Sequence, residues 1–392
     1  MLDGPLRSSD VKLRAFLKAE KRRPDSLAKP RMIFPRSPRY NLVLASWLKP
    51  FEHWLWGNLK SRVVSGVGNS RVVAKGLNQT QRANLIVRKM RTIPDCVVFE
   101  VDGRAFEAHV DVWQLQQEHA IYGRAYPSDR DLQNVLSKQL RNFGVTSNGV
   151  RFSRDGGRAS GDFNTGMGNT LVMLAVVMGT MSQIRPICWD TLVDGDNALL
   201  FISRSDCHRV CAEFPNVATE ISGHEMVLER PTSVVEEVRF GQSAPLRVKG
   251  GWQMVRDWRK VVSHSTSSHH HLREPRFAPE FIRGVAACES FLAGGVPILW
   301  AYTRNLMART EHVGGFRRHF LRDYQVLGVP VESLGEIYAE EPDDEARQSF
   351  EKAFGVTPVQ QRNIERELME ARVVTTGSAS LDLSDVYGLI FE

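Results

Sequence analysis

The sequence predicts a mixed α+β protein built in lobes, and three observations carry that prediction. Over 392 residues the chain is 42% apolar, enough for one large core or two smaller ones. Apolar runs of strand length sit mid-chain, CVVFEV at 96–101 and the pair TLV at 191–193 and ALLFI at 198–202. Apolar residues at helical spacing fill the last third, over 278–291, 298–308, 316–325 and 344–372. Five scattered cysteines speak against a disulfide framework and for a reducing compartment. No apolar run reaches the ~18–20 residues of a membrane span and no signal-peptide pattern opens the chain, so a soluble intracellular protein is expected.

Taken in order, the chain opens on a basic block. Residues 1–40 hold eleven Lys and Arg against four acids, a local excess of seven, while the whole chain is +6. Apolar residues interrupt the block, so part of it should pack. Residues 48–59 place Phe51, Trp54, Leu55 and Trp56 at spacings of a buried helix, with the aromatics in the core. The run 96–101 reads as a buried strand ending on Asp102, with Glu107 five residues later. Helical patterns follow at Val112, Leu115 and His119, then at Leu132, Val135, Leu136 and Leu140. Next comes SGDFNTGMGN at 160–169, a mobile Ser160-Gly161 turn opening a helix on which Thr165 and Asn169, four residues apart, share a face. That face can offer a hydroxyl and an amide to a nucleotide sugar. TLVDGDNALLFI at 191–202 then reads as a tight hairpin, because its Asp-Gly step favours positive φ. Its tip carries Asp194, Asp196 and Asn197. Cys207, His208, Cys211 and His224 have no common zinc spacing.

An acidic hairpin tip alone is an ordinary solvated turn. A buried strand ending in a carboxylate, a glycine-rich loop opening a helix and an acidic hairpin, in that order, are the parts of a two-metal nucleotidyl-transfer site. These residues resemble motifs A, B and C of viral RNA-dependent RNA polymerases, in particular the carmovirus-like Tombusviridae. The strings RMIFPRSPRYN (31–41), LKPFEH (48–53), FGQ (240–242), GWQMVR (251–256) and GGVPIL (294–299) support the resemblance, which runs from about Lys12 to Gln325.

The resemblance implies a right-hand polymerase with a ferredoxin-like antiparallel palm sheet, a mainly helical thumb and truncated N-terminal fingers. The implied boundaries are fingers at 1–95, palm at 96–250 with a fingers insertion at about 112–150, thumb at 251–372, and a flexible tail at 373–392. It implies template-directed RNA synthesis, with Asp102 and Asp196 holding Mg²⁺ (Mn²⁺ as an alternative) and Asn197 beside them. Asn197 stands where positive-strand viruses usually carry a second aspartate, keeping an oxygen donor and losing a charge. Glu107 takes the place of the family's ribose-reading aspartate in D-x-S-R-F-D-x-H-V, one methylene longer, and Arg104 and Ala105 also depart from that pattern. Ser160, Gly161, Thr165 and Asn169 are implied to bind the nucleotide and its ribose. In the basic motif F segment, Lys21, Arg31 and Arg36 are expected to meet the triphosphate or template. The stretch 226–242 lacks the lysine that motif D commonly supplies, and His224 is a candidate substitute.

Expected partners are template and nascent RNA, nucleoside triphosphates, and an upstream replicase polypeptide, fused or docked, that supplies the membrane attachment. The expected place of action is the host cytoplasm at membrane-bound replication sites. Two other readings stay open: a non-catalytic RNA-binding replicase subunit with a degenerate polymerase fold, and a reverse transcriptase. The Thr165 and Asn169 pair favours RNA synthesis over the latter.

Overall fold

The computed structural model describes residues 4–18, 29–268, 277–335, 337–375 and 389–391. They form a mixed α+β fold in two compact units. Among the described residues, the first unit takes 4–18, 29–76 and 88–233, and the second takes 77–87 and everything from 234 onward.

Two four-stranded sheets organise the first unit. One holds β1 (Leu13–Leu17), β2 (Met32–Ile33), β4 (Arg141–Thr146) and β5 (Arg151–Asp155); the other holds β3 (Cys96–Gly103), β6 (Trp189–Asp194), β7 (Asn197–Ser203) and β8 (Met226–Leu228). The second sheet is wholly antiparallel, in the order β6-β7-β3-β8. Its central strands are near-continuous apolar runs because both faces are covered, and residues 198–202 of β7 are completely buried. The first sheet runs β2-β1-β4-β5, with β1 parallel to β4 and its other pairs antiparallel. Part of the basic block therefore packs, through Leu13 and Ala15, while Phe16, Leu17 and Met32 are exposed.

The helices of this unit follow the chain. α1 (Ser8–Val11) precedes α2 (Pro38–Asn58), which starts on a Ser37 cap accepting from the Tyr40 N–H, with Pro38 at the first helical position. Tyr40, Leu44, Leu48 and Phe51 line its buried face. Trp56 joins the core as expected, but Trp54 lies on the opposite side and is 61% exposed. Short α3 (Ser61–Val64) leads to α4 (Gln79–Thr92), whose residues are divided between the units. α5 (Phe106–His109), α6 (Val112–Ala125) and α7 (Arg130–Ser137) follow β3, the last two capped by Asp111 and Asp129. β4 occupies the end of the 112–150 insertion, where only a helical pattern is expected, and β5 follows that stretch.

α8 (Thr165–Ile184) and α9 (Arg204–Ser222) pack on each other and against the β3-containing sheet. α8 corrects one expectation, since it is long and apolar enough to cross a membrane by length and composition, yet 67% of that window is buried inside the protein. Its apolar content is that of a core helix.

In the second unit, β9 (Ser243–Val248) and β10 (Gly251–Arg256) form an antiparallel hairpin, followed by α10 (Trp258–His264), α11 (Ala278–Ala293) and α12 (Leu299–Arg309). The expected helix over 316–325 is a 3₁₀ stretch at Arg318–Leu327. The pattern over 344–372 divides into α13 (Asp344–Phe354) and α14 (Pro358–Glu370), because Gly355 ends one helix at φ +69° and a Thr357–Gln360 capping box starts the next. Arg347 and Glu365 form a buried two-point ion pair between these helices at 2.9 and 3.0 Å, and Glu365 also accepts from the Ile298 N–H at 2.9 Å. Of the expected loose tail, β11 (Val373–Thr375) pairs with β12 (Leu389–Phe391), and residues 376–388 lie outside those described.

Candidate active site

The site forms where β3 and the β6–β7 hairpin end together. Asp194 pairs with Asn197 across the hairpin, leaving a two-residue loop of Gly195 and Asp196. Gly195 has φ +70°, the first-position conformation of a II′ turn that favours glycine. The β3–β7 register sets Asp102 opposite Asn197, and the Gly103 N–H donates to the Asp196 carbonyl at 3.2 Å. Asp102 and Asp196 are thereby held on one edge of the sheet. Partial desolvation, and then the neighbouring Asp196 charge, push the Asp102 carboxyl above the usual carboxylate range. Two further contacts fix the turn. The Gly195 N–H donates to Thr170 Oγ1 on α8 at 2.9 Å, and Lys75 pairs with Asp194 at 3.0 Å.

Glu107, on α5, lies within the field of Asp196, and its carboxyl is also raised by burial and by that charge. Arg31, Arg158 and a hydrogen bond from Asn169 oppose the shift. The structure thus brings together Asp102, Asp196, Asn197, Glu107, Asn169 and Arg31. Thr165 sits at the start of α8, its hydroxyl donating to the Ala159 carbonyl at 2.9 Å. Ser160 is buried, and its carbonyl accepts from the Phe34 N–H at 2.9 Å. Gly161 has φ +128°, and a Cβ there would stand 3.0 Å from Pro35, so the loop needs glycine on both counts.

Comparison with known proteins places this geometry in a family. The family model described as viral RNA-dependent RNA polymerase matches residues 3–376. The chain belongs to the viral RNA-dependent RNA polymerases. It is 30% identical to the RNA-directed RNA polymerase of Tobacco necrosis virus (strain A) over 97% of its own length and 51% of that protein. It is also 30% identical to that of Carnation mottle virus, covering 98% of this chain and 50% of the relative, and 29% identical to that of Turnip crinkle virus, covering 93% and 46%. These relatives are Tombusviridae, the group to which the motif strings point. The chain spans about half the length of the curated relatives it matches.

Within this member of the viral RNA-dependent RNA polymerases, one of the cations named from sequence is not placed at the carboxylates. Arg36 is only 3% exposed and is committed to internal acceptors, pairing with Asp162 and donating to the Lys138 carbonyl at 2.8 Å and Asn142 Oδ1 at 2.5 Å. Its guanidinium is thereby taken up inside the protein beside the glycine-rich loop, a placement that does not suit the expected triphosphate contact. Lys21 lies outside the described residues. His224 is also sequestered, completely buried against the Phe106 ring with Nε2 3.0 Å from Gln114 Oε1, and burial pushes it down to about 4. It is no solvent-facing acid for a leaving group. Among the described residues, no three His, Cys, Asp or Glu side chains gather as a metal cage.

Sequence reasoning missed the buried pair Arg158–Glu118 beneath the loop, whose members are 40 residues apart. The only local signal for it is Gly168, where a Cβ would fall 2.5 Å from both side chains.

Proposed function

We propose that this chain is the polymerase region of a viral replicase, carrying out template-directed RNA synthesis by two-metal nucleotidyl transfer. The observation that carries the reading is the β3–β7 register, which joins Asp102 to the Gly195-Asp196 turn with Glu107 and Asn169 beside them. In this reading the β6-β7-β3-β8 sheet with α8 and α9 serves as the palm, the sheet containing β1 and β4 belongs to the fingers, and the helical second unit serves as the thumb.

The donor set suits a divalent ion such as Mg²⁺. Asp102 and Asp196 are hard oxygen donors that repel each other, and a cation between them would relieve that repulsion. Ions held there by Asp102 and Asp196 would supply a lowered pKa at the primer 3′-hydroxyl and charge neutralisation at the triphosphate. Asp102 and Asp196 hold that charge, and Asn197 contributes a neutral oxygen. Glu107 accepts from the ribose 2′-hydroxyl, Asn169 and Thr165 support the sugar, and Ser160-Gly161 shape the loop under the nucleotide. Arg31 brings positive charge to the phosphates. Such catalysis rests on positioning and charge stabilisation.

The partners in this reading are template RNA, nascent RNA, nucleoside triphosphates and an upstream replicase polypeptide, at membrane-bound sites in the host cytoplasm. The test is incorporation of labelled nucleotide on an RNA template, with and without Mg²⁺ or Mn²⁺. Asp102→Ala and Asp196→Ala should each abolish incorporation at an unchanged melting temperature. Undiminished incorporation by either variant would sink the two-metal assignment, and a wild-type chain inert with every metal, even with the upstream region added, would favour the non-catalytic RNA-binding reading.

A further inference from the structure

Two opposite charges are sealed under the glycine-rich loop, and the reaction as derived above gives them no task. The Arg158 and Glu118 side chains are 2% and 1% exposed and form an ion pair. Glu118 also accepts from the Tyr122 hydroxyl at 2.6 Å and from Asn164 Nδ2 at 2.8 Å. Arg158 also donates to the sugar-reading pair itself. Its Nε donates to Asn169 Oδ1 at 3.0 Å, and its backbone N–H donates to the Glu107 carbonyl at 2.8 Å.

The chemistry of an amide gives this arrangement its meaning. An asparagine side chain fits one space in two orientations, related by exchanging its oxygen and nitrogen. A guanidinium can only donate, so it selects the orientation in which Oδ1 faces Arg158. Nδ2 is then turned toward Glu107, whose carboxyl the Asn169 side chain helps to keep ionised against burial. An ionised carboxylate can only accept, so the order donor, amide, acceptor is fixed along the whole relay. In that orientation Nδ2 can donate to Glu107 with one hydrogen and to an incoming group with the other. Gly168 fits the same purpose, because the pair crosses α8 where a side chain would stand.

We propose that Arg158, anchored by Glu118, is a positioning residue for sugar discrimination: it holds Asn169 in the one amide orientation that, with Glu107, presents both a donor and an acceptor to a ribose 2′-hydroxyl. The proposal rests on the polymerase reading for its substrate class. A 2′-deoxynucleotide leaves both groups without that partner, and a relay that cannot rotate cannot adapt to the loss.

The experiment compares ribo- and 2′-deoxyribonucleoside triphosphates on the full chain in two ways, by the ratio of kcat/KM and by the ratio of Kd from calorimetry. Arg158→Met should lower both ratios on the order of tenfold, the effect of one positioned hydrogen bond. Because that variant leaves Glu118 buried and unpaired, it is accompanied by Glu118→Gln/Arg158→Met, which removes both charges, keeps an oxygen acceptor for Tyr122 and Asn164 and should restore the melting temperature. The double variant should stay as poor a discriminator as the single one. A double variant with wild-type melting temperature and wild-type ratios would overturn the proposal, as would equal losses for both sugars in either variant. The Kd ratio is measured without turnover, so a chain that fails to incorporate any nucleotide even with the upstream region added refutes the polymerase reading separately from this one.

Discussion

Replacing Gly168 by alanine sets two well-understood effects against each other. Gly168 lies in the first turns of α8, so alanine should add about 1 kcal/mol through helix propensity. The same Cβ would stand 2.5 Å from Arg158 Nη2, 2.5 Å from Glu118 Oε1 and 2.6 Å from Arg158 Cζ. Overpacking of this kind costs about 1–3 kcal/mol, and a buried charge that loses its partner costs about 3–5 kcal/mol. The pair cannot retreat freely, because Tyr122, Asn164 and Asn169 hold it on three sides. Packing should therefore win, and Gly168→Ala should destabilise the first unit by about 2–4 kcal/mol. Gly123 on α6 supplies the control, since a Cβ there meets nothing within 4 Å. Gly123→Ala should stabilise by about 0.5–1 kcal/mol. Urea denaturation read at constant m value measures both. If the two midpoints move in the same direction, or Gly168→Ala matches the wild type, the reasoning about the buried pair is wrong.

Lys89 is completely buried and donates to Asp190 at 2.8 Å and to Ser61 at 3.0 Å, so Lys89→Met should cost about 3–5 kcal/mol by stranding Asp190, and Lys89→Met/Asp190→Leu should recover most of it. Equal melting temperatures for single and double variants would remove the charge argument. His224 has its folded pKa lowered to about 4, first by burial and then by His109, against a weaker opposing pull from Asp111. Below its ordinary value of 6.5 the unfolded chain binds the proton first, so stability falls as pH drops from 6.5 to 4, by about 3 kcal/mol in all. His224→Gln should flatten that part of the stability curve, and parallel curves for variant and wild type would refute the assignment. Asn197→Asp adds a third carboxylate beside Asp102 and Asp196 and should change the Mg²⁺ to Mn²⁺ activity ratio. An unchanged ratio would separate Asn197 from the ions.

What could be read from sequence was what local pattern encodes. The hairpin over 191–202 was legible because its strands are apolar and its turn carries glycine, and β3 because six residues in a row suit a strand buried on both faces. β4 and β5 were not legible, because RNFGVT and RFSRD are mostly charged or polar and lack an unbroken apolar alternation. Arg36 shows a second kind of limit. In a block of eleven cations nothing local separates the one that pairs with Asp162, 126 residues away, from those that stay at the surface. Trp54 shows a third, since α2 is wide enough to bury Phe51 and Trp56 while turning a tryptophan between them outward.

The strand order has a consequence for how the chain is made. β3 carries Asp102 in the interior of its sheet, yet both its neighbours come later in the sequence, β7 starting at Asn197 and β8 at Met226. At roughly 5–20 residues per second, an emerging β3 waits about 5–20 s for its first partner. Throughout that wait a largely apolar strand of eight residues stands with two unpaired edges, the kind of segment that pairs with other chains. Fragments that stop before β7 will therefore aggregate. The strand that bears the first carboxylate of the candidate site is also the one whose burial must await nearly a hundred further residues of translation.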